Sequence, residues 1–289
     1  MTCAAQHLLD DLIWSAHRGE RPPLLMGIVN ITPDSCFDGG RIAPEVALAH
    51  ARKLIADGAD LLDLGAESTR PGAERVDLET EWARLAPVLE QLLEESSLPL
   101  SVDTYKPEIA RRALQLGAVM INDIRGLRDP EMRKVVAEGE AWSCIMHMQG
   151  APETMQRAPH YECACYEEVS AWLEERRQEA VRDGCRADRI TLDPGIGFGK
   201  TVEHNLDLLR HLNAFPPVPL LLGLSRKSFM GRIIGKTYPE LLPVTIAATT
   251  WCCLKKRPAI LRVHDVLEHA QLNAILAALE AQDAYVPHN

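Results

Sequence analysis

At 289 residues the chain exceeds a minimal domain, yet it falls in the size range where α/β barrels of ~250 residues form one unit. A formal charge of −10 argues against a nucleic-acid or anionic-membrane surface, so an anionic substrate must be met by basic residues gathered locally. Eight cysteines lie scattered, without the paired CxxC spacing of a zinc site, which fits reduced thiols in a cytosolic chain. Asp10 and Asp11 stand where a signal peptide needs an apolar core, and no run approaches ~18 apolar residues. The expectation is a soluble, cytoplasmic protein with neither nucleic acid nor membrane as partner.

In chain order, residues 6–18 have helical spacing and are expected to cover one end of the fold, as part of an N-terminal helical extension over 1–23. From 24 to 284, strand-like runs alternate with helical ones. Strands are predicted at 24–29, 60–64, 98–102, 118–121, 142–146, 189–192, 218–222 and 259–263. Helices are predicted near 44–57, 77–95, 107–116, 129–138, 166–184, 203–213, 240–254 and 266–280. Eight β-then-α units without an obvious linker point to an α/β fold, a single (β/α)₈ TIM barrel with an extra N-terminal helical segment. A doubly wound open sheet is the main competitor.

The most informative stretch runs from Arg189 to Lys200. A short apolar run ends in Asp193, and a turn built on Pro194, Gly195, Gly197 and Gly199 comes next. This reads as a buried strand with a tight exit, its carboxylate at the carboxyl end and backbone free of Cβ beside it. The other predicted strands end in the same manner, at Asn30, Asp63 and Glu67, Asp103, Asn122, His147, Ser225-Arg226-Lys227, and Arg262 with His264. In an α/β barrel, chemistry gathers at those ends. Each residue has a plainer role open to it, such as a turn for Asn122-Asp123, an N-cap for Asp103 or a satisfied core histidine for His147. Together they favour a site.

The polar set divides by chemistry. Asp103, Asn122 and Asp193 are short side chains suited to a flat heterocycle bearing amino and ring N–H groups. Arg70, Lys227, Arg262 and His264 are the local cations a phosphate-bearing substrate requires, expected nearer the rim than the acids. Asn30 has an oxygen to offer Mg²⁺ on a diphosphate. The stretches 32–40 and 67–72, rich in turn formers, are expected to be mobile lids. The segment Gly195–Thr201 imitates a phosphate loop, but Walker spacing requires glycine where Pro194 stands.

Met26-Gly-Ile-Val-Asn-Ile-Thr-Pro-Asp-Ser35, Glu67-Ser-Thr-Arg-Pro-Gly72, Ser101-Val-Asp-Thr104, Ile121-Asn-Asp-Ile124, Asp193-Pro-Gly-Ile-Gly-Phe-Gly-Lys200, Ser225-Arg-Lys-Ser228 and Arg262-Val-His-Asp265 resemble, in order, the motifs of dihydropteroate synthases. The resemblance spans about 24–280. It implies a (β/α)₈ barrel, usually homodimeric. It also implies a Mg²⁺-dependent transferase that joins 6-hydroxymethyl-7,8-dihydropterin diphosphate to p-aminobenzoate with loss of pyrophosphate. It further implies pterin contacts from Asp103, Asn122, Ile124, Met146, Asp193, Gly223 and Lys227. Asn30, Arg70, Arg262 and His264 would hold the diphosphate, with Asn30 at the metal. Thr69, Arg70, Pro71, Phe198 and Ser228 would frame the aminobenzoate. Asp103, Lys227, Arg262 and Asn30 are the implied catalytic set. Cys36-Phe37 departs from the Phe-Ser usual in the family's first loop, implying altered aminobenzoate and sulfonamide affinity. The alternatives are a pterin-binding methyltransferase acting on methyltetrahydrofolate with a corrinoid partner, and a non-catalytic pterin-binding paralogue. The elements Ser225–Ser228 and Thr69–Gly72 argue against the first, and Arg70, Arg262 and His264 against the second.

Overall fold

The strand sequences carry a period-two pattern that explains the barrel. On β1 (Leu24–Asn30), β2 (Leu61–Gly65), β3 (Leu100–Asp103) and β4 (Met120–Asp123), alternate residues turn inward. So do those on β5 (Trp142–Met146), β6 (Ile190–Asp193), β7 (Leu221–Leu222) and β8 (Ile260–Val263). Leu24, Met26, Leu61, Met120, Trp142, Cys144, Leu221 and Ile260 pack into one apolar cluster in the lumen. Nearer the carboxyl ends come Asn30, Asp63, Asn122 and Arg262 on β1, β2, β4 and β8, and Asp103 and Asp193 end β3 and β6. The lumen therefore passes from an apolar floor to a polar mouth.

The computed structural model describes residues 2–32, 44–68, 75–152, 154–237, 239–255 and 258–281. All eight strands pair in parallel in the order β6-β5-β4-β3-β2-β1-β8-β7. An isolated parallel bridge between Leu192 and Leu220 joins β6 to the start of β7 and closes the ring. The expected barrel is thus observed, and the open sheet is excluded. The seventh strand is shorter than its sequence pattern suggests. The run 218–222 contains Pro219, which has no N–H for a ladder, and the regular strand is reduced to Leu221–Leu222.

Helices α2 (Pro44–Ala56), α3 (Leu78–Glu95), α4 (Pro107–Leu116), α5 (Pro130–Glu138), α6 (Cys165–Arg182) and α7 (Val202–Arg210) shield the outer faces of the strands. Local chemistry sets their starts: Asp77 and Asp129 cap α3 and α5 through side-chain bonds to backbone N–H groups, and Pro107 and Pro130 occupy first turns. After β7 the sequence pattern provides one helix near 240–254, with Ser228 as a further helix start. Two are present, α8 (Ser228–Ile234) and α9 (Leu242–Lys255). Gly235, at φ +68°, ends the first in a left-handed cap. The last helix is α10 (Val266–Glu280).

Helix α1 (Thr2–His17) closes the floor. Leu9, Ile13 and Ala16 recur on one face and enter the lumenal cluster beneath Trp142 and Met26. Asp10, on the adjoining face, accepts from Trp142 Nε1 at 2.7 Å and from Arg189 Nε and Nη2 at 2.9 and 2.7 Å. Arg189 is almost wholly buried, so removing its partner leaves a charge without full compensation. We expect Asp10→Ala to cost about 2 kcal/mol of stability, read as a lower urea midpoint at unchanged slope, with turnover little altered. An unchanged midpoint would remove α1 from the stability of the barrel.

Candidate active site

The site is organised by Asp63, a carboxylate that the sequence pattern places at a strand end but to which it assigned no ligand contact. Asp63 points inward from β2 and is wholly buried. Its Oδ1 accepts from Ser101 Oγ at 2.7 Å, and Ser101 is its register partner on β3. Its Oδ2 accepts from Asn122 Nδ2 at 2.9 Å and from Arg262 Nε at 2.6 Å. Arg262 then reaches across to Asp103, with Nη2 donating to Oδ2 at 2.8 Å. One guanidinium fork from β8 thereby spans β2 and β3, and Asn122 from β4 joins the same carboxylate. A carboxylate near the end of an apolar strand was the available sequence signal for Asp63. Its partner across the lumen was not legible.

Arg262 is more exposed than the acids it bridges, 21% against 12% for Asp103 and 0% for Asp63, as expected of a cation toward the rim. One expectation about charge requires correction: His264 is not a cation at neutral pH. Burial, together with Arg226 and Arg262, lowers its pKa to about 3. Its ring Nδ1 lies 3.1 Å from Ser225 Oγ, which also accepts the His264 backbone N–H at 3.2 Å. The neutral imidazole taking its proton bond from the serine leaves Nε2–H as a donor. Lys227 remains the flexible cation, with its pKa lowered by burial to about 8 and supported by Asp193 and Asp103.

The acids respond to the same enclosure. Burial raises the Asp103 carboxyl to about 7, against the pull of Arg262 and with Asp63 adding to the rise. Burial also raises Asp193, whose Oδ1 accepts the Gly195 N–H at 2.7 Å, while Lys227, Lys200 and Arg262 act the other way. Asp123 is raised by burial to about 6 and is turned away into its own loop, bonding the Arg125 and Leu127 N–H groups. It is a turn residue and not part of the pocket floor.

Ile124, Met146, Met148 and Met155 form an apolar wall, with Tyr105 and Phe198 packed against it. Lys227 Nζ lies 4.2 Å from the Phe198 ring centroid, a cation–π contact. Gly223 has open space where a side chain would stand, and Ser228 is exposed at the start of α8. Asn30 ends β1 half-buried at the mouth. Thus Arg262 bonds Asp103 directly, and Asn122 joins them through Asp63. Asp193 and Lys227 are coupled to them electrostatically, and Ile124, Met146 and Phe198 share one wall. Thr69, Arg70, Pro71 and the stretch containing Cys36 and Phe37 lie outside the described residues.

A second network has no signature in the sequence. Lys106 Nζ donates to Glu67 Oε2 and to the Val76 carbonyl, both at 2.5 Å, and to Glu81. Thr104 Oγ1 donates to the buried Glu81 at 2.8 Å, and Tyr105 OH donates to Glu67 at 2.9 Å. Arg125 stacks 3.8 Å from the centroid of the Tyr105 ring. The exits of β2, β3 and β4 are bound together. A helix-opening role for Asp103-Thr104 leaves out this shared network, in which Thr104 holds Glu81.

Comparisons with known proteins identify the family. Residues 26–264 match the family described as pterin binding enzyme. The dihydropteroate synthase of Neisseria meningitidis serogroup C is 42% identical over 264 residues, covering 88% of this chain and 93% of its own. The Xanthomonas albilineans dihydropteroate synthase, solved with 4-aminobenzoic acid, has a TM-score of 0.85 at 42% identity, covering 91% of this chain and 94% of its own. The Burkholderia cenocepacia dihydropteroate synthase complexed with 7,8-dihydropteroate gives a TM-score of 0.80 at 41% identity, with coverages of 89% and 91%. With the family match spanning residues 26–264 and relatives 41–42% identical over most of both chains, the chain belongs to the dihydropteroate synthase family of pterin-binding enzymes.

Proposed function

We propose that this chain condenses 6-hydroxymethyl-7,8-dihydropterin diphosphate with p-aminobenzoate, giving 7,8-dihydropteroate and pyrophosphate. The observation that carries the reading is the Arg262 fork held between Asp63 and Asp103 at the barrel mouth. The ligands of the Xanthomonas and Burkholderia relatives, 4-aminobenzoic acid and 7,8-dihydropteroate, are the second substrate and the product of this reaction. Asp103, Asn122, Asp193 and Lys227 bind the pterin edge, and Ile124, Met146 and Gly223 line its faces. Arg262, His264, Asn30 and Arg70 receive the diphosphate. Phe198, Ser228, Thr69, Arg70 and Pro71 frame the aminobenzoate.

In the reaction the C–O bond to diphosphate breaks, the arylamine nitrogen bonds to the same carbon, and the amine loses a proton. An arylamine is neutral and nucleophilic at pH 7, so no strong base is required. Arg262 and the His264 N–H stabilise the departing negative charge, while Asp103 faces the positive charge developing on the pterin. Mg²⁺ fits as an ion carried mainly by diphosphate and water. Among the described residues no group of three acidic, histidine or cysteine side chains could enclose a metal, and the Asn30 oxygen is the protein donor at hand. When bound, the ion supplies further neutralisation of the leaving group.

The direct test is to mix the purified protein with both substrates and follow pyrophosphate and dihydropteroate. Release without formation of the N–C bond would overturn the assignment. Because Asp103 loses its proton near pH 7 rather than in the ordinary range around 3.8, kcat/KM for the pterin substrate is expected to fall about tenfold per unit below pH 7. An acid limb appearing only below about pH 4.5 would remove Asp103 from that role.

A homodimer belongs to the same proposal. Trp251 and Leu254 on α9, with Leu267, Ile275 and Leu279 on α10, are exposed large apolar side chains, which a second copy would cover. A strictly monomeric sedimentation profile at micromolar concentration would refute it. None of the described helices is long and apolar enough to cross a membrane. Six cysteines among the described residues are free thiols, which supports the cytoplasm as the compartment.

A further inference from the structure

Lys200 is a buried amine that the mechanism above does not use. It is 3% exposed, and no carboxylate forms an ion pair with it among the described residues. Its Nζ instead meets His147 Nδ1 at 3.0 Å, the Phe198 carbonyl at 3.0 Å and the His147 carbonyl at 3.5 Å. The charged groups felt by Lys200 are Asp193, which favours its cation, and Lys227, which opposes it; Cys165 is also near. Burial lowers its pKa to about 7. Ammonium and free amine both carry the two N–H groups needed for His147 Nδ1 and the Phe198 carbonyl, so the clasp does not depend on charge.

His147 is suited to receive that bond. Burial, with Lys200 and Arg128 adding to it, keeps the imidazole neutral, so Nδ1 has a lone pair to accept with. The ring is held edge-on against Trp172, with centroids 5.0 Å apart, and near Tyr161 at 6.1 Å. Its backbone N–H donates to the Asp193 carbonyl at 2.9 Å. Around it the segment after β6 lies directly on the segment after β5. Gln156 Nε2 donates to the Gly197 carbonyl at 2.5 Å, Tyr161 OH to the Gly199 carbonyl at 3.0 Å, and the Gly197 N–H to Asn205 Oδ1 at 2.7 Å. Every one of these bonds fixes backbone in the turn that presents the Phe198 ring to Lys227.

We infer that Lys200 is a positioning residue which, clasped to His147, sets the place of Phe198 and thereby the affinity for the aromatic amine substrate. It touches neither substrate. The inference rests on the proposed contact between Phe198 and p-aminobenzoate, and deepens it by naming what holds the ring in place.

The test is steady-state kinetics on the full-length enzyme with both substrates varied. Lys200→Met is expected to raise KM for p-aminobenzoate about tenfold, while KM for the pterin diphosphate stays within about twofold. His147→Leu, which removes the acceptor, should reproduce this selectivity, and His147→Gln, whose carbonyl can accept the same bond, should largely restore wild-type KM. In a Phe198→Ala background the Lys200→Met effect should disappear, since the ring through which it acts is gone. Nitrogen NMR of wild-type His147 should report the Nε2–H tautomer with a hydrogen-bonded Nδ1, and that Nδ1 signal should shift in Lys200→Met. Equal rises in both KM values, or full additivity with Phe198→Ala, would overturn the inference. Should Lys200→Met fail to fold, the His147 pair decides alone. If Phe198→Ala itself leaves KM for p-aminobenzoate unchanged, the Phe198 contact is wrong, an outcome distinct from failure of the clasp.

Discussion

Arg262→Ala is expected to lower kcat for pyrophosphate release by about 10²–10³-fold, the scale of losing one preorganised donor to a developing anion. The loss has two origins. The departing diphosphate loses a fixed cation, and Asp63 and Asp103 lose the guanidinium that spans them at 2.6 and 2.8 Å. Asp63 is wholly buried and keeps only Ser101 and Asn122 as donors, so part of the mouth must rearrange or take up a proton. Arg262→Lys should recover little, because an ammonium is a single point and cannot occupy both ends of the fork. Near-wild-type pyrophosphate release by Arg262→Ala would refute the assignment. A stability loss with kcat preserved in the folded fraction would reduce Arg262 to a structural ion pair.

Gly195→Ala is expected to be the most damaging glycine-to-alanine change among the described residues. Gly195 has φ +65°, a conformation costing an L residue about 1–2 kcal/mol. More importantly, an added Cβ would lie 1.8 Å from the His147 carbonyl oxygen, a backbone atom with no freedom to step aside. The turn must move, adding about 1–3 kcal/mol of overpacking. Movement at this point displaces the Gly195 N–H from Asp193 Oδ1 and carries Phe198 with it. Loss of about 3 kcal/mol of stability and more than about tenfold in kcat/KM are therefore expected, read by urea unfolding and initial rates. Gly235→Ala is the matched control. It has φ +68° and open space around the new methyl, so it isolates the backbone cost. If both variants unfold at the same midpoint, the contact with His147 is not what demands glycine at 195.

The two substitutions probe different layers of information. The need for glycine at 195 could be suspected from Asp-Pro-Gly at a strand exit, whereas the atom that enforces it belongs to the end of β5, some fifty positions earlier in the chain. Likewise Asp103, Asn122 and Asp193 were readable because a carboxylate or amide ending an apolar run is unusual. Asp63 was readable in the same way as a strand-end carboxylate, but its central part in the site comes from Arg262, on a strand at the other end of the chain. His264 looks like a cation in the sequence, yet its charge depends on burial and on Arg226 and Arg262, which proximity in sequence does not measure. Lys106 and Glu67, from separate strand exits, meet Glu81 of α3 in a network that no local pattern joins.

By itself the sequence determined the alternation of strands and helices, the closed parallel barrel, the end at which polar groups collect and the family. These follow from hydrophobic period, capping chemistry and ordered motifs, all of them properties of neighbours along the chain. Only the tertiary structure decided which charges are paired, which imidazoles stay neutral, how α1 seals the floor, and that a buried lysine grips the backbone of Phe198. Those depend on distances across the lumen and on the loss of water there, and both come into existence when the ring of strands closes.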